Sequence, residues 1–377
     1  MKLMISGGGT GGHVYPALAV IAYLIGQGEL RSVPSVSPSA VCWVGSHNGM
    51  EKALVERNGI LFVGIAASGV RGRGLFRAMQ GMMTLAHGFA QVRRLISTFQ
   101  PNVLFATGGY VCAPVVFAAW LAHVPILIYL PDVEPGLTIR LLARLAHRVA
   151  VTTAASVRFF RPGQAVVTGY PVRRALWANH DPAAARERLG LVPQSQRGKD
   201  RVLLVMGGSQ GARSINRAIC EGIVELLTET QVIHLTGRRD AEWVQERRAV
   251  LPNTLRARYY VYDYLEEEMA DALLAADLVI ARAGASTLGE LPAAGVPSIL
   301  VPYPYAGAHQ WANARFLADA GAAMIVPDHL VDSQLVSTAI SLLRDADRRA
   351  AMSRAARGLA QPDAAERIAR ELRELAL

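Results

Sequence analysis

The chain has 377 residues, 51% of them hydrophobic, and a net charge of +9. That is enough for two cores, since one core seldom serves more than about 250 to 300 residues. No stretch reaches the roughly 18 uninterrupted apolar residues of a spanning helix, and the opening Met1 to Ile5 runs at once into glycines, unlike a secretory signal. Cys42, Cys112 and Cys220 are few and far apart, which reads as buried, reduced thiols of a cytoplasmic protein and excludes a cysteine-based metal site. The positive charge is mostly arginine spread along helices. No lysine run, RNA-binding signature or helix-turn-helix accompanies it, so nucleic acid is not indicated; an anionic membrane surface or a diphosphate substrate fits the charge.

In chain order, strand Lys2–Ser6 turns through Gly7-Gly-Gly-Thr-Gly-Gly-His13 into a helix. Strand Val41–Val44 ends in Gly45-Ser-His-Asn-Gly49, with a helix from Met50, and Ile60–Gly64 is a further short strand. Residues 33–39 read as a loop. Val103–Ala106 meets Thr107-Gly-Gly-Tyr110 and helix Ala113–His123; Pro125–Tyr129 and Arg148–Val151 complete the first half. After the junction around Arg161 to Pro171 and a polar run at 193–200, the pattern restarts with strand Arg201–Met206 and Gly207-Gly-Ser-Gln-Gly211. Strands at 231–236, 257–262, 277–281 and 298–302 follow, and an arginine-rich helical tail begins near Arg349. Uniformly apolar strands alternating with helices predict parallel sheets covered on both faces.

The two glycine turns are the chemically informative segments. A strand that turns through glycines into a helix leaves backbone N–H groups pointing one way, and with the helix dipole they form an anion site. Two such turns in successive halves predict paired domains facing a phosphate-bearing ligand across a cleft. Gly7, Gly9 and Gly12 also satisfy G-x-G-x-x-G, but a dinucleotide site wants a carboxylate about 20 residues on, at the end of the second strand. Gly45-Ser-His47 supplies none. His13 stands at a helix N-terminus, a position that disfavours imidazolium and keeps the ring able to accept a proton. Ser286 and Thr287 are placed to cap the helix that carries Glu290, a carboxylate that needs a partner if buried. His309 and Gln310 close a proline- and glycine-punctuated loop. No Asp-x-Asp motif stands at a strand end, so metal independence and no cofactor are expected.

Together, Gly8–Pro16, Thr107–Val111, Thr168–Arg173, Gly207–Asn216, Arg282–Glu290 and His309–Asn313 closely resemble the MurG family of bacterial peptidoglycan glycosyltransferases, in the right order over nearly the whole chain. The resemblance implies an α/β GT-B fold: two Rossmann-like domains with parallel sheets facing a cleft. They are expected at 1–165, the acceptor and membrane-association domain, and 166–354, the UDP-sugar domain, with the helix at about 355–377 packing back on the first. It implies inverting transfer of N-acetylglucosamine from UDP-N-acetylglucosamine to the C4 hydroxyl of lipid I, the undecaprenyl diphosphate-linked muramyl pentapeptide, at the cytoplasmic face of the plasma membrane. Carried over by position, Thr10, Gly11 and Gly12 would hold the acceptor diphosphate or the sugar side of the donor. Arg173, Ser209, Ser286 and Thr287 would contact the donor, Glu290 its ribose and Gln310 its sugar hydroxyls. His13 resembles the family's candidate base. Where the family usually has His-Glu-Gln-Asn, this chain reads Tyr129-Leu-Pro-Asp132; Asp132 replaces a substrate-contacting asparagine, and Glu134 stands two residues on. That departure bears on the acceptor and the base and keeps two alternatives open: transfer to another lipid, such as diacylglycerol, and a non-catalytic UDP-sugar-binding relative. The membrane-facing patch of the family falls at Val70–Arg77, Met79, Met82, Met83 and Leu85.

Overall fold

Strands made of unbroken apolar runs must be covered on both faces, and the computed structural model has this arrangement twice. It describes residues 1–9, 11–30, 40–47, 49–66, 75–178, 181–191, 201–208, 210–305 and 309–377, with backbone alone for 75–85. The loop at 33–39 and the polar run at 193–200 lie outside the described residues. The chain divides into two compact units, Met1–Val172 with Pro362–Leu377, and Arg173–Gln361.

The first unit is built on β1 (Leu3–Gly7), β2 (Val41–Ser46), β3 (Leu61–Ile65), β4 (Val103–Gly108), β5 (Ile126–Leu130), β6 (Arg148–Val151) and β7 (Ala165–Val167). They form one sheet in the order β3-β2-β1-β4-β5-β6-β7, with every pair parallel. The second unit uses β8 (Val202–Met206), β9 (Gln231–Leu235), β10 (Tyr259–Tyr262), β11 (Leu278–Ala281), β12 (Ser298–Leu300) and β13 (Ala323–Ile325). Their order is β10-β9-β8-β11-β12-β13, again parallel throughout. In both sheets the chain starts in the middle, winds one way, then reverses. The reversal opens a crevice at the carboxyl ends of the two central strands, where open α/β sheets bind ligands. In the first unit these strands are β1 and β4, and in the second β8 and β11.

Two strands escape sequence reading. β7 is a three-residue edge strand, half-buried, and β13 is equally short, so neither makes an apolar run long enough to register. The tail is two helices, Ala346–Gly358 and Ala364–Ala376, interrupted ahead of Pro362, whose missing N–H cannot continue a helix. Helix Ala364–Ala376 packs on Gly11–Gly26 of the first unit. It buries Ile368, Ala369 and Leu372, and pins its polar face through Arg373 to Glu29 and through Glu371 and Glu374 to Arg148. Leu372→Ala should cost about 2 to 5 kcal/mol, the range for a large-to-small change in a core, read as a lower urea midpoint for the first unit.

Candidate active site

In the first unit, β1 delivers its glycine turn to the start of helix Gly11–Gly26, so Gly11, Gly12 and His13 form the first helical turn. Thr10 lies outside the described residues. His13 is locked to the neighbouring strand end twice: its Nδ1 is 2.7 Å from the Thr107 carbonyl oxygen, and Thr107 Oγ1 donates to the His13 carbonyl oxygen at 2.7 Å. A carbonyl only accepts, so Nδ1 carries the proton and Nε2 is left with its lone pair. Gly108 (φ 120°) makes the ring's seat, for a Cβ there would fall 2.6 Å from the imidazole. The Gly12 carbonyl oxygen accepts from Tyr170 at 3.4 Å.

Beneath the same turn lies Glu51, the first residue of helix Glu51–Arg57, with no solvent exposure. Its carboxylate accepts from the amides of Gly9 at 3.3 Å and Ser46 at 2.9 Å.

Asp132 is half-buried just past β5, on the far side of β4 from β1. Tyr129 is a core residue: its hydroxyl lies 2.9 Å from Thr152 Oγ1 and 3.2 Å from the Gly169 carbonyl oxygen, and its ring lies near Phe105 and Tyr170. The tyrosine at this departure from the family pattern is therefore spent on packing.

In the second unit the turn after β8 packs backbone to backbone against the turn after β9. Gly211 (φ 77°) and Gly237 (φ 75°) touch, leaving no space for a Cβ on either. Ser209 lies outside the described residues. Under the turns, buried Asn216 donates to the Thr236 carbonyl oxygen and to Asp240, both at 2.8 Å, and accepts from His234 Nε2 at 3.1 Å. His234 Nδ1 then accepts from Tyr259 at 2.7 Å. Complete burial pushes His234 down to about 3, so it stays neutral and the buried network stays satisfied.

At the β11 end, Arg282 is held by Asp328 at 2.5 Å and by Ser214 at 2.9 Å. Asn313 fastens the following loop, donating to the Ala283 carbonyl oxygen at 3.0 Å. Helix Thr287–Ala294 comes next and is buried along its whole length. The expected caps are not made. Ser286 already has helical dihedrals and its side chain caps no amide; its hydroxyl goes to the Glu290 carboxylate instead. Thr287 Oγ1 turns back to the Gly284 carbonyl oxygen at 2.6 Å. Arg173 stands 4.0 Å from Glu290 and donates to the Glu266 carbonyl oxygen. Burial raises Glu290 above the ordinary carboxylate range, and Arg173 and Ser286 only partly offset it. The Gln310 carboxamide oxygen accepts from the Tyr303 amide at 2.9 Å, folding the loop on itself. Of the predicted donor contacts, Arg173, Ser286 and Glu290 thus form one cluster.

Residues 3–151 match the N-terminal domain of glycosyltransferase family 28 and residues 202–368 match its C-terminal domain. A protein of Roseiflexus sp. (strain RS-1), named UDP-N-acetylglucosamine--N-acetylmuramyl-(pentapeptide) pyrophosphoryl-undecaprenol N-acetylglucosamine transferase, is 42% identical, covering 98% of this chain and 94% of its own. The chain belongs to the MurG family. A protein of the same name from Moorella thermoacetica is 39% identical, covering 98% and 97% of the two chains. The crystal structure of Acinetobacter baumannii MurG matches with a TM-score of 0.72 at 28% identity, over 99% of this chain and all of that one. The architecture is GT-B. A UDP-GlcNAc 2-epimerase from Neisseria meningitidis, bound to UDP-GlcNAc, shares the fold alone, with a TM-score of 0.68 at 13% identity.

Sequence reasoning missed Glu51 and the Asn216–His234–Asp240 network of this family member. An acidic residue opening a helix is ordinary dipole compensation. The only hint of something more was the pair of glycines, Gly45 and Gly49, spaced just ahead of Glu51.

Proposed function

We propose that this chain transfers N-acetylglucosamine from UDP-N-acetylglucosamine to the muramyl C4 hydroxyl of lipid I, forming lipid II. The observation that carries the chemistry is His13: Nδ1 is committed to the Thr107 carbonyl oxygen, so Nε2 presents a lone pair at the crevice of the first sheet. The acceptor oxygen attacks the anomeric carbon, its proton passes to Nε2, and the bond to the UDP oxygen breaks with inversion. Arg173 and the N-terminal turns after β8 and β11 would meet the charge growing on the diphosphate. Glu290 would accept from the ribose hydroxyls, and Gln310 would meet the sugar. Thr10, Gly11 and Gly12 would line the acceptor side, with Ser209, Ser286 and Thr287 on the donor side. Burial of Tyr129 in the core removes one motive for a different acceptor, and Asp132 is the remaining departure that could touch it.

The deciding experiment is transfer of labelled sugar from UDP-N-acetylglucosamine to a short-chain lipid I analogue in EDTA. Transfer is expected. Thermal protection by UDP-N-acetylglucosamine without transfer would point to another acceptor.

The acceptor is a lipid, and the first unit carries a surface suited to a membrane. The side chains of the expected segment, Val70–Arg77 and 79–85, lie outside the described residues. Helix Cys112–Leu121, which meets Phe89 through Phe117, exposes Phe117 and Trp120, stacked at 5.8 Å. Helix Leu137–Leu142 packs beside it and leaves Leu137 65% and Leu141 51% exposed, flanked by exposed Arg140 and Arg144. Among the described residues no helix is long and apolar enough to cross a membrane; aromatic, leucine and arginine groups together suit peripheral attachment to an anionic inner leaflet. Replacing Leu137 and Leu141 by serine should weaken sedimentation with anionic vesicles by at least about tenfold, the loss expected if only about two of the removed carbons are buried in the bilayer at roughly 0.8 kcal/mol each, with transfer to a detergent-soluble acceptor unchanged.

A further inference from the structure

Two tight turns of the second unit lie side by side at the ligand end of its sheet. One follows β8, where the Gly211 amide donates to the Gly208 carbonyl oxygen at 2.9 Å. The other follows β9, where the Asp240 amide donates to the Gly237 carbonyl oxygen at 3.2 Å. They pack glycine on glycine: a Cβ on Gly237 would fall 2.2 Å from the Gly211 amide nitrogen. The β9 turn is fastened from both neighbours. On the β8 side, buried Asn216 holds the Thr236 carbonyl oxygen and the Asp240 carboxylate, both at 2.8 Å, and Arg213 meets Asp240 at 3.1 Å. On the β10 side, the Thr236 and Gly237 amides donate to the Tyr262 and Asp263 carbonyl oxygens, each at 3.0 Å. A satisfied polar network of this kind makes rigid whatever it holds. What it holds is the tip of the turn, Arg238 and Arg239. Both are exposed, and among the described residues neither makes an ion pair or a side-chain hydrogen bond. The arginines near them are already committed, Arg213 to Asp240, Arg282 to Asp328 and Arg173 to Glu290.

We propose that Arg238 and Arg239 grip the diphosphate of the nucleotide donor from the β9 side of the β8 turn, while the β11 turn meets it from the other side. Adjacent cations without a counter-charge repel each other, and a bound dianion removes that repulsion. A guanidinium group offers its donors in a planar fork, the geometry that suits paired phosphate oxygens. The pair also serves the reaction. The oxygen leaving the anomeric carbon keeps the bonding electrons, so negative charge grows on the diphosphate beside two groups already fixed to receive it. This rests on the transferase reading above and adds a second wall to its donor site.

The test is titration of the full chain with UDP and with uridine, which carries the same base and ribose but no phosphate. Arg238→Gln combined with Arg239→Gln removes both charges at exposed positions, so the melting temperature should hold. The double variant is expected to bind UDP about tenfold or more weakly, the size of a lost charge-assisted contact, and uridine within about twofold of wild type. Exposed Arg247 on helix Ala241–Ala249 is the control, and Arg247→Gln should leave both affinities unchanged. An unchanged UDP affinity in the double variant overturns the proposal. So does equal weakening of UDP and uridine, which would mark a disturbed fold, or an equal loss in Arg247→Gln, which would mark a general field. A raised acceptor KM with UDP binding intact would give the pair to the acceptor's diphosphate and overturn the proposal as well. Titration needs no turnover, so the two readings fail separately. A wild-type chain that binds UDP but transfers no sugar overturns the transferase reading alone, and one that binds no UDP overturns both.

Discussion

His13→Ala is expected to lower kcat for sugar transfer by about 10² to 10⁴, the usual worth of a positioned general base, with the KM for UDP-N-acetylglucosamine unchanged. The expectation follows from how the residue is held. The ring's orientation depends on Nδ1 and the Thr107 carbonyl oxygen, whereas the turn is held by Thr107 Oγ1 on the backbone oxygen of residue 13, a bond that alanine keeps. The variant should therefore melt near the wild-type temperature while losing the lone pair of Nε2. Gly108→Ala offers an independent check, because it leaves the imidazole in place but drives a methyl to 2.6 Å from it at a φ of 120°. It should also reduce kcat with the donor KM unaffected. Full turnover by His13→Ala would move the proton to another group, with Asp132 and Glu134 next in line.

Glu290→Gln should separate binding from stability. If the carboxylate accepts from two ribose hydroxyls, its loss removes hydrogen bonds to a charged group worth about 1.5 to 3 kcal/mol each, and the donor KM should rise at least about tenfold. The unliganded fold should not suffer. Burial raises Glu290 above its unfolded value despite Arg173. Its contribution to stability is thus fully present below the unfolded carboxylate range and is lost as pH rises through the folded value. Glutamine has no charge to bury, so the variant should melt at or above the wild-type temperature at neutral pH. Donor binding runs the other way. The wild-type KM for UDP-N-acetylglucosamine should climb as pH falls through the raised Glu290 value, and Glu290→Gln should remove that limb of the profile. A wild-type pH profile flat across this range would take Glu290 away from the ribose.

The architecture was readable because parallel strands buried on both faces have no polar positions to disguise them. Leu3–Gly7, Val103–Gly108 and Val202–Met206 are buried at every residue, and each stands out as an apolar block ahead of its glycines or its helix. Ala165–Val167 lies at a sheet edge with its side chains half in solvent, and there the signal fades. The site divides in the same way. Glycine turns and His13 follow from local chain geometry, so the sequence could point to them. Arg173 and Glu290 are 117 positions apart in the numbering, and only likeness to a family linked them. Ser286 shows the limit of local rules: its place in the chain says cap, yet a buried carboxylate one turn away claims the hydroxyl. Glu51 was illegible because its meaning depends on Gly9 and Ser46, which only folding brings to it.

The return of residues 362–377 to the first unit has a consequence for synthesis on the ribosome. N-terminal domains usually fold first as they emerge, but here the opening 172 residues leave the ribosome without the helix that carries Ile368, Ala369 and Leu372 into the first unit's core. The face of helix Gly11–Gly26 that receives it must wait while the entire second unit is translated. The nascent chain therefore passes through a stage in which the second unit is complete and the first is not, and in which an uncovered apolar face invites chaperones.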